Sequence, residues 1–408
     1  MKLLMVDTLD EAREKIFSLA KSWPLERETL SLNATQNRVI AGDLYAQDDI
    51  PGFARATVDG YALVAADTAG AGESIPVFLK QVGAVSMGKP ADFSLQRGEC
   101  AYVPTGGMLP GGTDAVVMVE YCEGQGSNIA VYEAVASGAG TALAGEDLKK
   151  GSSLLRRGTL IRPQEVGALA AAGIVSVPVF APLRVGIIST GDELVPPDSV
   201  PRPGEIRDIN SHALKALAEK HGYSVVSART FPDDEGKLIA AITEAMALCD
   251  IVVISGGSSQ GEKDMTADLI NRAAKPGVFT HGLALKPGKP TILGWDEKSR
   301  TLFAGLPGHP VAAMIVFKLL LGWLIDKLFG RPQPFPIPAI ISNNLPGSPG
   351  RTLCQPVILR LEGETYIAEP VFGKSGMITT LTRADGYIIV YLNKEGLKKD
   401  ETVMVHLF

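Results

Sequence analysis

The sequence predicts an α/β multidomain protein: a central parallel-sheet domain flanked by a β-rich domain, a small helical domain and a C-terminal β domain. Three observations carry that prediction. From Arg184 to about residue 328, apolar runs of strand length alternate with helical patterns of about a dozen residues, as in βαβ units. Between residues 45 and 150, short apolar runs are separated by glycine turns, with no long helical pattern among them. The chain has 408 residues, more than one ordinary hydrophobic core organises. The boundaries fall at 1–44 together with 151–178 (a discontinuous helical linker domain), 45–150 (β-rich), 179–328 (α/β) and 329–408 (C-terminal β).

Residues 8–22 carry Leu9, Ala12, Ile16, Leu19 and Ala20 at helical spacing, with Asp7 or Thr8 placed to cap the helix. Strands are expected at 115–119 and 129–132. A helix is expected near 163–172, where Pro163 suits the first turn. The central region then reads as strand 185–188, helix 210–221, strand 224–227, helix 235–248, strand 251–254 and helix 264–274. Strand 302–304 runs into a long helix from Pro310. Pro332, Pro334, Pro336 and Pro338 form a stiff linker, beyond which 357–361 and 386–390 are the clearest strands.

Apolar residues are 46% of the chain, ordinary for globular domains, and 44 glycines with 27 prolines imply many tight turns. A net charge of −6 gives no general pull toward nucleic acid or anionic lipid, so neither is expected as a partner. The apolar stretch 311–325 contains Lys318 and is too short to span a bilayer. The first residues are interrupted by Asp7 and Asp10 and lack the apolar core of a signal sequence. Cys100, Cys122, Cys249 and Cys354 form no CxxC pair, which disfavours a zinc or iron–sulfur centre and fits reduced thiols in the cytoplasm.

The candidate chemistry sits in three loops, 190–193, 255–261 and 306–310, each directly after a predicted strand. In one parallel sheet all three gather at the carboxyl edge, where open α/β sheets place their ligands. Gly256 and Gly257 permit a tight turn whose N–H groups face an anion, and Ser258 adds a hydroxyl. A plain strand-to-helix turn is the alternative reading, and neither a Walker A ending nor a Rossmann fingerprint is present. Gly308 and His309 precede Pro310, which suits the first position of a helix whose N–H groups favour an anion. Lys286 and Lys289 add two cations in a constrained turn. Asp192, Glu193, Asp233, Asp234 and Asp264 bring carboxylates from three βα loops toward the same crevice. Such a cluster repels phosphate unless a divalent cation is shared, which makes Asp234 and Asp264 candidate ligands for Mg²⁺ or another divalent ion. Asp264 also reads as a helix N-cap. Outside the α/β region, 57–62, 105–114 and 145–151 are glycine-rich or charged turns without metal-ligand spacing or a catalytic triad.

Taken in order, these segments resemble the molybdopterin molybdenumtransferase family, the MoeA proteins and the C-terminal domain of gephyrin, over nearly the whole chain. The resemblance rests on Val-Asp-Gly-Tyr-Ala at 58–62, Thr-Gly-Gly-Met-Leu-Pro at 105–110, Gly-Glu-Asp at 145–147 and Ser-Thr-Gly-Asp-Glu-Leu at 189–194. It continues through Ser-Gly-Gly-Ser-Ser-Gln-Gly at 255–261, Lys-Pro-Gly-Lys-Pro at 286–290 and Leu-Pro-Gly-His-Pro at 306–310. It implies a molybdopterin-binding-like central domain and a cytoplasmic homodimer. The implied reaction inserts molybdate into adenylylated molybdopterin with release of AMP, assisted by Mg²⁺ or another divalent ion. The cleft would lie between the α/β domain of one subunit and the β-rich domain of its partner. A transient contact with the molybdopterin adenylyltransferase is also implied. By resemblance, Asp59, Glu193, Asp234 and Asp264 carry catalysis, and Asp234 and Asp264 position the cation or the anhydride. Thr105, Asp147, Gly256, Gly257, Ser258, Lys286, Lys289, Gly308, His309 and Ser375 meet the substrate.

The chain departs from the family pattern in three places. Most members have Asn where His309 stands, Val-Ser-Val-Gly is common at 258–261, and an arginine usually stands where Leu143-Ala144 precede the Gly-Glu-Asp turn. These departures leave a tungstate-inserting or regulatory paralogue as an alternative. The adenylyltransferase itself lacks the long flanking β regions. A non-enzymatic scaffold would be expected to carry a fused second enzyme domain or a long linker. An NAD enzyme would carry the missing glycine fingerprint.

Overall fold

The computed structural model describes residues 6–256 and 265–408, and the predicted fold class is present in them. Val185, Ile187, Ile251, Val252, Val253, Leu302 and Phe303 are fully buried, as strands covered by helices on both faces must be. They belong to a six-stranded sheet in the order Ser224–Phe231, Arg184–Thr190, Ile251–Ser255, Thr301–Leu306, Ile292–Asp296, Pro276–His281. The first four strands run parallel. The last two run antiparallel, so the sheet is mixed rather than wholly parallel. Only residues 297–300 join Ile292–Asp296 to Thr301–Leu306. That connection is too short for a crossover helix and closes as a hairpin.

Helices Asn210–His221, Glu235–Leu248 and Met265–Ala273 connect these strands. The final helix runs as Pro310–Phe317, a π-helical turn Lys318–Gly322 and Trp323–Phe329. Ser189 lies beside Ser255, and Ser255 beside Leu306, in the parallel registers. The carboxyl ends of three strands therefore stand side by side, and the loops that follow them start from one rim.

The flanking parts attach to this domain by specific contacts. Thr8 and Glu11 close a reciprocal capping box at the start of Leu9–Ala20. That helix lies against the final one, with Phe17 edge-on to Trp323 at 6.1 Å and Arg13 Nε donating to the Leu319 carbonyl at 2.9 Å. Arg27–Ser31 pairs with Ser176–Phe180, and Leu44–Tyr45 with Ser153–Leu155, so the chain segments either side of the β-rich region meet. Helix Pro163–Ala171 belongs to the same unit. The β-rich region holds a six-stranded sheet in the order Ala115–Met118, Gly60–Leu63, Glu99–Val103, Val77–Ala84, Asn128–Val131, Cys122–Gln125. In the C-terminal domain, Thr352–Glu362 pairs in parallel with Leu285–Lys286, a strand contributed by the central region. Among the described residues no helix is long and apolar enough to cross a membrane. All four cysteines are free thiols.

Candidate active site

The sheet edge is organised by one buried turn at the start of helix Asn210–His221. Asp208 is 5% exposed. Its Oδ1 accepts from Ser189 Oγ at 3.1 Å and from the Ser211 backbone N–H at 3.1 Å, while its Oδ2 accepts from Thr230 Oγ1 at 2.6 Å. Burial pushes this carboxyl up, but the hydrogen bonds from Ser211, Thr230 and Ser189 together outweigh it and hold Asp208 below the ordinary carboxylate value. Two residues on, Asn210 Nδ2 donates to Ser255 Oγ at 2.8 Å and to the Gly308 carbonyl at 2.7 Å. One short segment thereby holds the ends of three strands and the loop before the final helix.

Gly256 follows at φ +112°, and a Cβ there would lie 2.1 Å from the Thr190 carbonyl oxygen. Only glycine lets the Ile251–Ser255 strand turn so close to its neighbour. Gly257, Ser258 and Asp264 lie outside the described residues. Gly308 and His309 are exposed on the adjacent loop. His309 Nδ1 is 2.8 Å from Ser375 Oγ, a contact that brings the C-terminal domain onto the rim. The Val311 N–H donates to the Ser375 carbonyl at 3.1 Å and the Ala313 N–H to the His309 carbonyl. With Pro310 lacking an N–H, this helix start offers fewer donors to an anion than the sequence implies.

The carboxylates at the rim are partly committed to the fold. Asp234 caps helix Glu235–Leu248, its Oδ1 accepting from the Lys237 N–H at 2.9 Å. Asp233 Oδ1 accepts from Thr190 Oγ1 at 2.5 Å, and its N–H donates to Asp192 Oδ1 at 3.0 Å. Glu193 is exposed, with its carboxylate folded beside Gly191. Among the described residues no group of three His, Cys, Asp or Glu side chains is placed to hold a metal ion. The described residues therefore do not by themselves fit a resident divalent cation. Lys286 and Lys289 are exposed on the turn that leads out of the Leu285–Lys286 strand.

The remaining predicted residues form a separate group in the β-rich region. Asp59 Oδ1 accepts from the Thr105 N–H at 2.6 Å and from Thr105 Oγ1 at 2.9 Å. Those backbone and side-chain bonds hold the Asp59 carboxyl below its ordinary value. Asp147 is exposed in a turn whose backbone donates to the Ile50 carbonyl at 3.0 Å. Among the described residues no hydrogen bond or ion pair joins Asp59, Thr105 or Asp147 to the sheet edge.

Sequence reasoning missed the cavity beside this edge. It has a volume of about 550 Å³ and lies between segment 191–197, the outer strand Ser224–Phe231 and helix Asn210–His221. Asp192, Asp208, Ser211, His212, Lys215 and Thr230 supply its polar lining. That volume is in the range of small-molecule sites. The only signal for it in the sequence was Asp208 and Asn210 opening a predicted helix after a proline-rich loop.

A polar crevice at the carboxyl edge of the parallel strands, overlaid by a serine from a C-terminal β domain, defines a multidomain α/β protein with a small-molecule-sized cavity beside its sheet edge. Comparison with known proteins makes the class specific. Residues 7–173 match the family described as "MoeA N-terminal region (domain I and II)", 186–327 match "Probable molybdopterin binding domain" and 338–408 match "MoeA C-terminal region (domain IV)". The chain is 31% identical to the molybdopterin molybdenumtransferase of Haemophilus influenzae, covering 98% of both chains, and 30% identical to that of Bacillus subtilis, covering 98% of this chain and 93% of the other. It is similar to the crystal structure of a molybdopterin biosynthesis MoeA protein from Pyrococcus horikoshii, with a TM-score of 0.84, 31% identity and coverage of 99% of this chain and 100% of that one. The chain belongs to the molybdopterin molybdenumtransferase (MoeA) family.

Proposed function

We propose that this protein inserts molybdate into adenylylated molybdopterin and releases AMP, forming the molybdenum cofactor. Family membership supports the reaction, and one observation supports its location. Three parallel strand ends bring Gly256, Gly308 and His309 to a single rim beneath Ser375. In the reaction the two dithiolene sulfurs replace two oxygens of molybdate, which leave as two waters with the two thiol protons and two protons from solvent, molybdenum keeping its oxidation state. Cleavage of the phosphoanhydride by water gives AMP and returns the phosphate to the pterin.

The chemical difficulty is bringing an oxyanion to an anionic substrate. The glycine turn at 256, the His309–Ser375 pair and the exposed Lys286 and Lys289 supply donors and positive charge for that task. The 550 Å³ cavity beside the rim is large enough for a planar ring system of the substrate. Asp234, whose Oδ1 is taken by the Lys237 N–H and whose second oxygen is left over, would be a ligand for Mg²⁺ or another divalent cation arriving with the substrate, which would supply positive charge against the anhydride. Asp59, Thr105 and Asp147 are assigned to the same cleft in a homodimer, each group facing the sheet edge of the other subunit. A cytoplasmic location accords with four free thiols. A transient contact with the adenylyltransferase would deliver the substrate.

Incubation with adenylylated molybdopterin, Mg²⁺ and molybdate should give AMP. Tungstate in its place tests the choice of oxyanion. Absence of AMP with either oxyanion overturns the reading.

A further inference from the structure

Asn210 has a hydrogen-bonding pattern that its surroundings explain only in part. It is 7% exposed, at the first position of its helix, and both hydrogens of its amide are used. One goes to Ser255 Oγ at 2.8 Å, at the end of the Ile251–Ser255 strand. The other goes to the Gly308 carbonyl at 2.7 Å, in the loop that carries His309. Ser255 Oγ is in turn 3.4 Å from the Pro307 carbonyl. Asn210 Oδ1, by contrast, is buried with no donor among the described residues. The amide cannot be turned round to relieve this, because its oxygen would then face the Gly308 carbonyl, an acceptor against an acceptor. A buried oxygen left without a partner is a cost that folds seldom retain. Here it is retained so that both N–H groups reach the two loops.

From this geometry we infer that Asn210 is a positioning residue for the proposed reaction, a two-donor clamp that sets the Pro307–Gly308–His309 loop at a fixed distance from the Ser255–Gly256 turn. The two loops carry the glycine turn and the imidazole assigned to the substrate, and the carbonyl of Gly308 is one residue from His309. Asp208, two residues earlier, anchors the clamp through Ser189, Ser211 and Thr230, so the amide is held from below as well as from both sides. Gly308 already approaches Gly256 closely: a Cβ on Gly308 would meet the Gly256 Cα at 3.8 Å. Without the clamp, the side-chain hydrogen bond left between this loop and Ser255 among the described residues is the long one from Ser255 Oγ to the Pro307 carbonyl, at 3.4 Å.

The inference rests on the functional reading for its kinetic readout but not for its structural one, and two substitutions test it. Asn210→Asp keeps the shape of the side chain and puts an acceptor against the Gly308 carbonyl. Asn210→Ala removes both donors without adding a charge. Both should lower kcat for AMP release by about 10-fold to 100-fold, as displacements near 1 Å do, with KM changed less than threefold. A packing role predicts instead that the two variants part, with the isosteric aspartate harmless and the alanine harmful. Amide hydrogen exchange across residues 306–313 should rise at least fivefold in both variants, while exchange across 292–296 stays as in the parent. If Asn210→Asp fails to fold, Asn210→Ala with Ser255→Ala carries the same comparison. Unchanged exchange across 306–313, or full activity of Asn210→Asp, overturns the clamp. A parent protein that releases no AMP overturns the functional reading instead and leaves exchange to decide the clamp.

Discussion

Replacing Gly256 by alanine tests whether the turn after the central strand needs glycine. The backbone there holds φ at +112°, a conformation that costs an L-residue on the order of 1–3 kcal/mol. The added methyl would sit 2.1 Å from the Thr190 oxygen and 3.1 Å from both the Thr190 carbonyl carbon and Cγ2. Since real Cβ contacts do not fall below 3.0 Å, the two strand ends must separate by close to an ångström. Overpacking of this kind adds roughly 1–3 kcal/mol. Together the terms give a loss of about 2–6 kcal/mol, which for a domain of this size lowers the melting temperature by roughly 4–24 °C. The same shift displaces the turn relative to His309 on its other side, so AMP release should fall about 100-fold. Thermal melting and a coupled AMP assay read both effects on one preparation. An alanine variant that melts within about 2 °C of the parent and turns over at its rate would refute the reasoning, because neither strain nor contact would then shape the turn.

Two further predictions follow from the other groups. Asp59→Asn keeps an oxygen to accept from the Thr105 N–H and hydroxyl and removes only the charge, so melting should be unchanged while kcat falls at least 10-fold. Loss of stability without loss of activity would reverse that assignment. His221 is held down to about 4 by burial and then by Lys318, Arg331 and Lys220, and its Nε2 is buried without a partner among the described residues. The unfolded chain takes up this proton near 6.5, the folded one only near 4. Stability is therefore complete above pH 6.5 and declines as pH falls through that window, by up to about 3 kcal/mol. Urea midpoints at pH 7 and pH 5 should differ for the parent and converge for His221→Gln; parallel curves would show that another group titrates.

Much of the fold was legible because its signals are local. Helices at 210–221 and 235–248 have the bounds that their periodicity gave, and the strands before the three loops stand side by side as their spacing required. The antiparallel pair at the far side of the sheet was not read, because 276–281 is the mixed run Pro-Gly-Val-Phe-Thr-His and no helix separates 292–296 from 301–306 to announce the direction. At the site, Gly256, Gly308 and His309 declared themselves by loop chemistry after a strand. Asp208 and Asn210 did not. Their burial comes from four chain segments meeting, and an aspartate and an asparagine before a helix read as ordinary capping chemistry. His309 was visible as a loop histidine, but its contact with Ser375 joins residues 66 apart in sequence, beyond the reach of local pattern.

The central claim is that the sheet-edge crevice couples anhydride cleavage to molybdenum insertion. The most direct test is the stoichiometry of a single turnover, with AMP quantified by chromatography and molybdenum on the extracted pterin by elemental mass spectrometry. One AMP per molybdenum retained, both lost in Gly256→Ala, is the predicted result. AMP released without molybdenum on the pterin, or equal yields of both from the variant, would contradict it.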